Sequence, residues 1–263
     1  MSAGPADDHW RRRLAEWAIP PHILAAADDS PWQVPPAAMV ARTQRSPQSP
    51  SLDRAAEALD PEGTVLDVGA GAGAASLPIA VRITKLVAVD EDAGMLATLT
   101  ALATQRGLAV DTVPGRWPDV AAGVDEADVV VCQHVFYNVP DLAAFATALH
   151  DHARRRVVIE LTDRHPQSVH SPLWKELHGV DRPDGPTAAD AIAVLRETGL
   201  EPRVQRWQRP HTHLGDEERL DMSRRALCLP RDRVPELTEA LTRLAAPPKR
   251  DVVTLWWDRQ PPT

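Results

Sequence analysis

The chain has 263 residues, 43% hydrophobic and 25% charged, and 29 Lys+Arg against 37 Asp+Glu give a formal charge of −8. This composition excludes disordered and collagen-like classes, and the length suits one large α/β domain with attached helices. A net acidic chain lacks the concentrated basic surface of a general nucleic-acid binder, so nucleic acid is not an expected partner. Cys132 and Cys228 cannot build a disulfide framework or a four-cysteine zinc site. No apolar run approaches the roughly 20 residues that span a bilayer. The N-terminal MSAGPADDHWRRRLAEW has no apolar core after its basic residues, unlike a signal peptide. A cytoplasmic protein with no membrane contact is expected.

Residues 1–50 read as a helical head. A helix is expected over Asp8–Ala18, after which Pro20, Pro21, Pro31, Pro35 and Pro36 interrupt the chain. Trp10, Trp17, Ile19, Ile23, Leu24, Trp32, Val34 and Met39 are too scattered to form a core of their own, so the head should lie over another one as a cap. SPQSPS, Ser46–Ser51, reads as a linker or turn. Residues 51–263 form the expected main domain. Its elements begin with a helix over Leu52–Leu59, a buried strand over Thr64–Val68 and a helix over Ala74–Val81. Lys85–Val89 is the second strand, Ala93–Arg106 a helix closed by Gly107, Leu108–Val113 the third strand and Ala127–Cys132 the fourth. A helix over Asp141–His152 and a fifth strand over Arg156–Leu161 follow. Apolar strands alternating with helices imply a parallel sheet covered on both faces.

The rhythm breaks at residues 163–186, a Pro- and His-rich stretch that reads as a lid insertion of exposed-loop composition. Thr187–Thr198 is a helix capped by Thr187 and stopped at Gly199. Val204–Trp207 is a sixth strand, Asp216–Leu227 and Val234–Leu244 are helices, and Asp251–Trp257 is a last strand.

VLDVGAGAGAASL, residues 65–77, carries the most chemistry. A strand runs into Gly69, Gly71 and Gly73, which permit a tight turn and close approach of a ligand to the backbone. A helix beginning there would add unpaired N–H groups suited to an anionic or polar ligand. Asp90 ends the next strand, where a carboxylate can accept both hydroxyls of a ribose. GAGAGA also satisfies the G-x-G-x-x-G/A dinucleotide fingerprint, with Ala74 as its third small residue and Asp90 about 20 residues on. A ligand-free turn is the third reading.

Asp67 makes the local pattern D-x-G-x-G-x-G, and the fourth strand runs on into CQHVFYNVPDLAAFATAL. Together these resemble the class I methyltransferases that use S-adenosylmethionine (SAM), over about residues 52–162. The resemblance implies a Rossmann-like α/β fold of seven strands, order 3-2-1-4-5-7-6, with strand 7 antiparallel. It implies that Asp67, Gly69, Gly71 and Gly73 line the amino-acid end of SAM and that Asp90 holds the ribose, with Glu91 and Asp92 beside the adenosine. The loop after the third strand, Gly115-Arg116-Trp117, would flank the adenine, although many members carry an acid or small residue near Arg116. The loop after the fourth strand would face the sulfonium and the methyl acceptor, which carries over to Gln133, His134 and Tyr137. A nicotinamide oxidoreductase would need a hydride-site pair such as Tyr with a nearby Lys, and the only tyrosine is Tyr137, followed by NVPD.

The expected activity is therefore methyl transfer from SAM to an oxygen or nitrogen of a small organic molecule, with an NAD(P) oxidoreductase and a non-catalytic SAM-binding regulator as alternatives. A base is needed only where the acceptor has a proton to lose. His134 leads the candidates, followed by His165, His170 and His178 of the lid and by His211 and His213. Asp163, His165 and His170 match no defensible metal spacing, so no metal is expected. Arg154–Arg156 reads as a solvated face, and Arg224 with Arg225 as surface residues. Trp10, Trp17, Trp32 and Trp174 are expected as packing anchors or as walls of a lid. The Trp-rich head can cover a partner subunit as readily as its own site, which leaves a homodimer open.

Overall fold

The computed structural model describes residues 4–31, 48–210, 216–244 and 249–259. Trp32, Val34, Met39, His211 and His213 lie outside the described residues. One sheet organises the chain, with strands β1 (Gly63–Val68), β2 (Ile83–Asp90), β3 (Val110–Pro114), β4 (Ala127–Gln133), β5 (Ala153–Thr162), β6 (Arg203–Pro210) and β7 (Lys249–Asp258). Their spatial order is β3-β2-β1-β4-β5-β7-β6. The first five strands pair in parallel, and β7 runs antiparallel between β5 and β6. This is the order the resemblance implied. It puts the carboxyl ends of β1 to β5 on one rim, where open α/β sheets bind their ligands.

The sheet is buried on both faces. Val65, Leu86, Val129, Val131 and Val158 pack on one side against α3 (Pro50–Ala58) and α4 (Ala93–Thr104). Leu66, Val130, Val157 and Ile159 pack on the other against α5 (Leu142–Asp151) and α7 (Ala188–Glu197). A third core joins Ile23 of α2 (Pro21–Ala25), Leu173, Trp174 and Leu177 of α6 (Ser171–His178), Leu227 to Leu229 after α8 (Asp216–Ala226), and Leu237 and Ala240 of α9 (Val234–Arg243). Among the described residues no helix is long and apolar enough to cross a membrane.

The head is pinned by its first helix, α1 (Pro5–Ala15), which starts three residues earlier than expected because Pro5 occupies its first turn. The Glu197 carboxylate accepts from the Ala6 N–H at 3.0 and 3.2 Å and so caps α1 from α7. Asp7 in turn accepts from the Ala143 N–H at 3.0 Å, capping α5. Trp10 is wholly buried, and its indole N–H donates to the Val139 carbonyl at 2.8 Å.

Three expectations fail for local reasons. Ala74–Val81 is not an α-helix: residues 71–76 form turns and Leu77–Arg82 a 3-10 helix, with Ile79 outside helical geometry at φ −107° and ψ 17°. Pro78 lacks the N–H that an α-helix would use there, and the Ser76 hydroxyl is drawn onto Asp67 at 2.7 Å. Ser49–Ser51 is not a linker. Ser49 caps α3, and Ser51 is buried within it, bonded to the Thr254 hydroxyl at 2.7 Å. Residues 163–186 are not a loop of exposed composition, since they hold a 3-10 turn (Pro166–His170) and α6, whose Trp174 is buried.

Candidate functional site

The turn after β1 is held open by glycine. Gly69, Gly71 and Gly73 have φ of 69°, 50° and 84°. A Cβ on Gly69 would lie 2.3 Å from the Val135 side chain, and one on Gly73 would lie 2.7 Å from Leu77. Side chains at these positions would therefore meet both strain and collision. The contact with Val135 seats the glycine turn against the loop after β4. The Gly69 and Ala70 N–H groups donate to the Val89 carbonyl at 2.9 and 3.1 Å, which ties the turn to β2.

Asp90, at the end of β2, accepts from the Gly71 N–H at 2.8 Å through one oxygen and from the Asp92 N–H at 2.9 Å through the other. Gly115, after β3, donates its N–H to the Asp90 carbonyl at 2.9 Å. Three rim loops thus converge on one acid. Asp92 caps α4, accepting from the Gly94 and Met95 N–H groups at 2.8 and 3.1 Å. Asp67 is fully buried below the turn. One of its oxygens accepts from Ser76, and the other has no hydrogen-bond partner. Burial pushes its carboxyl up to about 7, with the Ser76 bond opposing the rise and the Asp90 charge adding to it.

The flank after β3 divides. Arg116 and Glu91 pair at 3.7 Å on the surface. Trp117 is buried, edge-on to His152 at 4.8 Å.

The loop after β4 holds the densest charge. Gln133 is paired in register with Glu160 of β5. His134 has φ 61°, an uncommon value outside glycine, and its N–H donates to the Glu160 carbonyl at 2.7 Å. Its Nε2 lies 3.0 Å from Glu160 Oε1, which also accepts from Arg209 Nη1 of β6 at 3.0 Å. Both Arg209 terminal nitrogens lie 3.2 Å from His134 Nε2, and the Ser49 hydroxyl donates to Glu160 Oε2 at 3.3 Å. Glu160 is only 2% exposed. Burial would raise its carboxyl, but bonding and charge from His134, with the Arg209 charge, outweigh it and pull the group down to about 2. Glu160 and Arg209 were not among the expected site residues. The one signal in the sequence is a glutamate inside the apolar run RVVIEL, since an acid in a buried strand needs a partner.

The other expected residues sit elsewhere. Tyr137 is buried under Trp10 with ring centroids 5.5 Å apart, and its hydroxyl donates to the Thr162 carbonyl at 2.8 Å. Burial raises its pKa far above the usual phenol value. His165 stacks on Trp17 at 3.9 Å, and its Nδ1 accepts from the Gln167 N–H at 3.2 Å. Burial, with the Arg182 and Arg250 charges, pushes it down to about 3. Arg182 lies over both Trp17 and Trp174, at 5.0 and 4.8 Å, completing a ladder from α1 to α6. Asp163 pairs with Arg206 and His170 with Gln167. Among the described residues no three such side chains are grouped to hold a metal ion.

Residues 65–156 match the family model for a methyltransferase domain. By that match, residues 65–156 form a methyltransferase domain. No curated protein matches the chain. Its fold is similar to that of the YcgJ protein of Bacillus subtilis, with TM-score 0.55 and 16% identity over 81% of this chain and 99% of that one. It is also similar to a SAM-dependent methyltransferase of Geobacter sulfurreducens crystallised with S-adenosylhomocysteine, at TM-score 0.55 and 14% identity over 86% and 99% of the two chains. Magnesium protoporphyrin IX methyltransferase of Synechocystis, also with S-adenosylhomocysteine, gives 0.50 and 14% over 82% and 83%. At these identities the likeness is one of fold, and the acceptor must be argued from the site.

Proposed function

We propose that this methyltransferase moves the methyl group of SAM to an oxygen or nitrogen of a small organic molecule, with His134 as the proton acceptor. The observation that carries the reading is the seating of the glycine turn against the loop that holds His134, through Gly69 and Val135. This contact supports a cofactor cradle next to His134, an imidazole of a type whose unperturbed pKa suits proton transfer near neutrality. The residues fit SAM. Three positive-φ glycines give the turn a bare backbone at the end of β1, and Asp67 beneath it has a buried carboxylate oxygen without a partner, which a cationic amino group would satisfy. Asp90 accepts two N–H bonds, and its carboxylate has room for ribose hydroxyl donors as well. SAM supplies an activated methyl on a sulfonium, and the chain supplies orientation and proton removal.

Tyr137 and His165 take positioning roles in this reading. Both are buried in the ladder that fixes the head, and each is held in its resting protonation state. Glu91 and Arg116, paired on the surface, are the residues that would flank the adenosine. The absence of an α-helix after the glycine turn weighs against a dinucleotide enzyme, because the pyrophosphate of such a ligand relies on a helix N-terminus.

Conversion of SAM to its demethylated product across phenols, alcohols, amines and N-heterocycles tests the reading. Wild type should convert at least one class, and His134→Ala should lose turnover while keeping SAM affinity. A protein that binds SAM and converts nothing would favour the regulatory alternative.

A further inference from the structure

Asp67 carries an inference that rests on the methyltransferase reading above and deepens it. The residue stands inside the sheet, in register with Ala88 of β2 on one side and Val131 of β4 on the other. It is fully buried. Its Oδ2 accepts from the Ser76 hydroxyl at 2.7 Å, and its Oδ1 has no hydrogen-bond partner. Buried polar atoms are paired in folded proteins, and a charged oxygen left without a partner is costly. The titratable groups on the neighbouring strands do not relieve that cost. Asp90 of β2 brings a second negative charge. Cys132 of β4 is held as a neutral thiol by burial and by the Asp67 charge. Among the described residues no cationic side chain is paired with Asp67.

Two things can remove the imbalance: a proton on the carboxyl or a cation against it. The protein by itself uses the proton. Burial, with the Asp90 charge adding and the Ser76 bond opposing, raises the group from 3.8 to about 7. The place for a cation is set by the chain. Gly69, the first of the three positive-φ glycines, follows Asp67 by two residues, and Ser76 ties the acid to the far side of the turn. A ligand lying on that bare backbone therefore lies over the carboxyl. An ammonium group there favours the ionised carboxylate, so the proton has to leave.

We propose that Asp67 exchanges its proton for the ammonium group of SAM, so that binding of one cofactor releases one proton to solvent and the affinity for the cofactor falls on acidification. The carboxyl O–H proton passes to water, the ammonium keeps its three protons, and the pair that remains is neutral. The sign follows from linkage. The free protein holds the proton below about 7 and the complex does not, so binding strengthens as pH rises to about 7 and then levels off. In the acid range the loss approaches tenfold per pH unit, as one linked proton requires.

The test is calorimetric titration of the full-length protein with S-adenosylhomocysteine, which carries the same ammonium group. At pH 6, in buffers of different ionisation heat, wild type should release close to one proton per ligand bound. Asp67→Asn cannot ionise, so it should release none, bind more weakly at pH 7 and lose the pH slope. 5′-Methylthioadenosine, which has no amino group, should bind without proton release. Infrared difference spectra of wild type at pH 6 give a second readout that needs no variant. The C=O stretch of a buried protonated carboxyl should be present in the free protein and lost on binding of S-adenosylhomocysteine. No proton release by wild type would overturn the proposal, as would equal release by Asp67→Asn or with methylthioadenosine, or a C=O band that survives binding. If Asp67→Asn does not fold, the wild-type proton count and the infrared band decide. Wild-type protein that fails to bind S-adenosylhomocysteine at any pH would refute the methyltransferase reading itself, an outcome distinct from binding without proton release.

Discussion

Gly69→Ala tests whether the glycine turn is built for close approach as well as for backbone freedom. Two glycines make the comparison. Gly69 has φ 69° and its Cβ would collide with Val135 at 2.3 Å, whereas Gly107 has φ 68° and nothing within 4 Å of its Cβ. The backbone penalty for alanine in the left-handed region is roughly 1–2 kcal/mol at either site. The reduced entropy of the unfolded chain returns about 0.4–1 kcal/mol of it. Gly107→Ala should therefore destabilise by about 1 kcal/mol. Gly69→Ala adds overpacking against Val135, about 1–3 kcal/mol more, for a total of about 2–4 kcal/mol. Val135→Ala in the Gly69→Ala background should remove most of that added part, read as a positive coupling in a double-mutant cycle by urea denaturation. Equal losses for the two single glycine variants, or no coupling to Val135, would refute the seating of the turn on the β4 loop.

Other outcomes follow from the same geometry. Asp90→Ala should weaken SAM binding by roughly 1.5–3 kcal/mol through lost charged hydrogen bonds, and an unchanged calorimetric affinity would remove it as the ribose acceptor. Asp67 is raised from 3.8 to about 7, so the folded state holds the proton more tightly than the unfolded one. Its contribution is fully present below the unfolded value and is lost as pH rises to about 7, a loss on the order of 4 kcal/mol. Asp67→Asn should flatten that part of the pH–stability curve, and an unaltered slope between pH 4 and 7 would contradict the burial argument. Trp10→Ala should cost about 3–5 kcal/mol, because it empties a fully buried site and orphans the Val139 carbonyl. A loss below about 1 kcal/mol in chemical denaturation would mean that the head is not fixed to the core through Trp10.

Buried strands were legible because a parallel strand covered on both faces is mostly apolar, and TVLDV, KLVAV, ADVVVC and RVVIEL are apolar at all but one or two positions each. The sheet order came from the resemblance, since periodicity carries no information about spatial order. Local composition misled in three places. Small residues after the glycines looked helical, but Pro78 and the Ser76–Asp67 bond divert the chain into turns and a 3-10 helix. SPQSPS looked like a linker, but its later serines cap and bury the start of α3 against β5 and β7. The Pro/His stretch looked exposed, yet its Trp174 anchors a core assembled from four distant segments.

The cluster behind His134 was half legible. His134 follows from its place after the fourth strand. Arg209 could not be read as a partner, because β6 alternates exposed and half-buried polar residues and resembles any surface edge. Only the register of β6 on β7, and of β7 on β5, brings Arg209 to Glu160.

Calorimetric titration of the protein with SAM, its demethylated product and NADH in parallel tests the central claim most directly. Binding of SAM and its product, with none of NADH, is the result expected from a glycine turn beside Asp90 with no helix N-terminus behind it. NADH binding without SAM would contradict the account and make GAGAGA a dinucleotide turn.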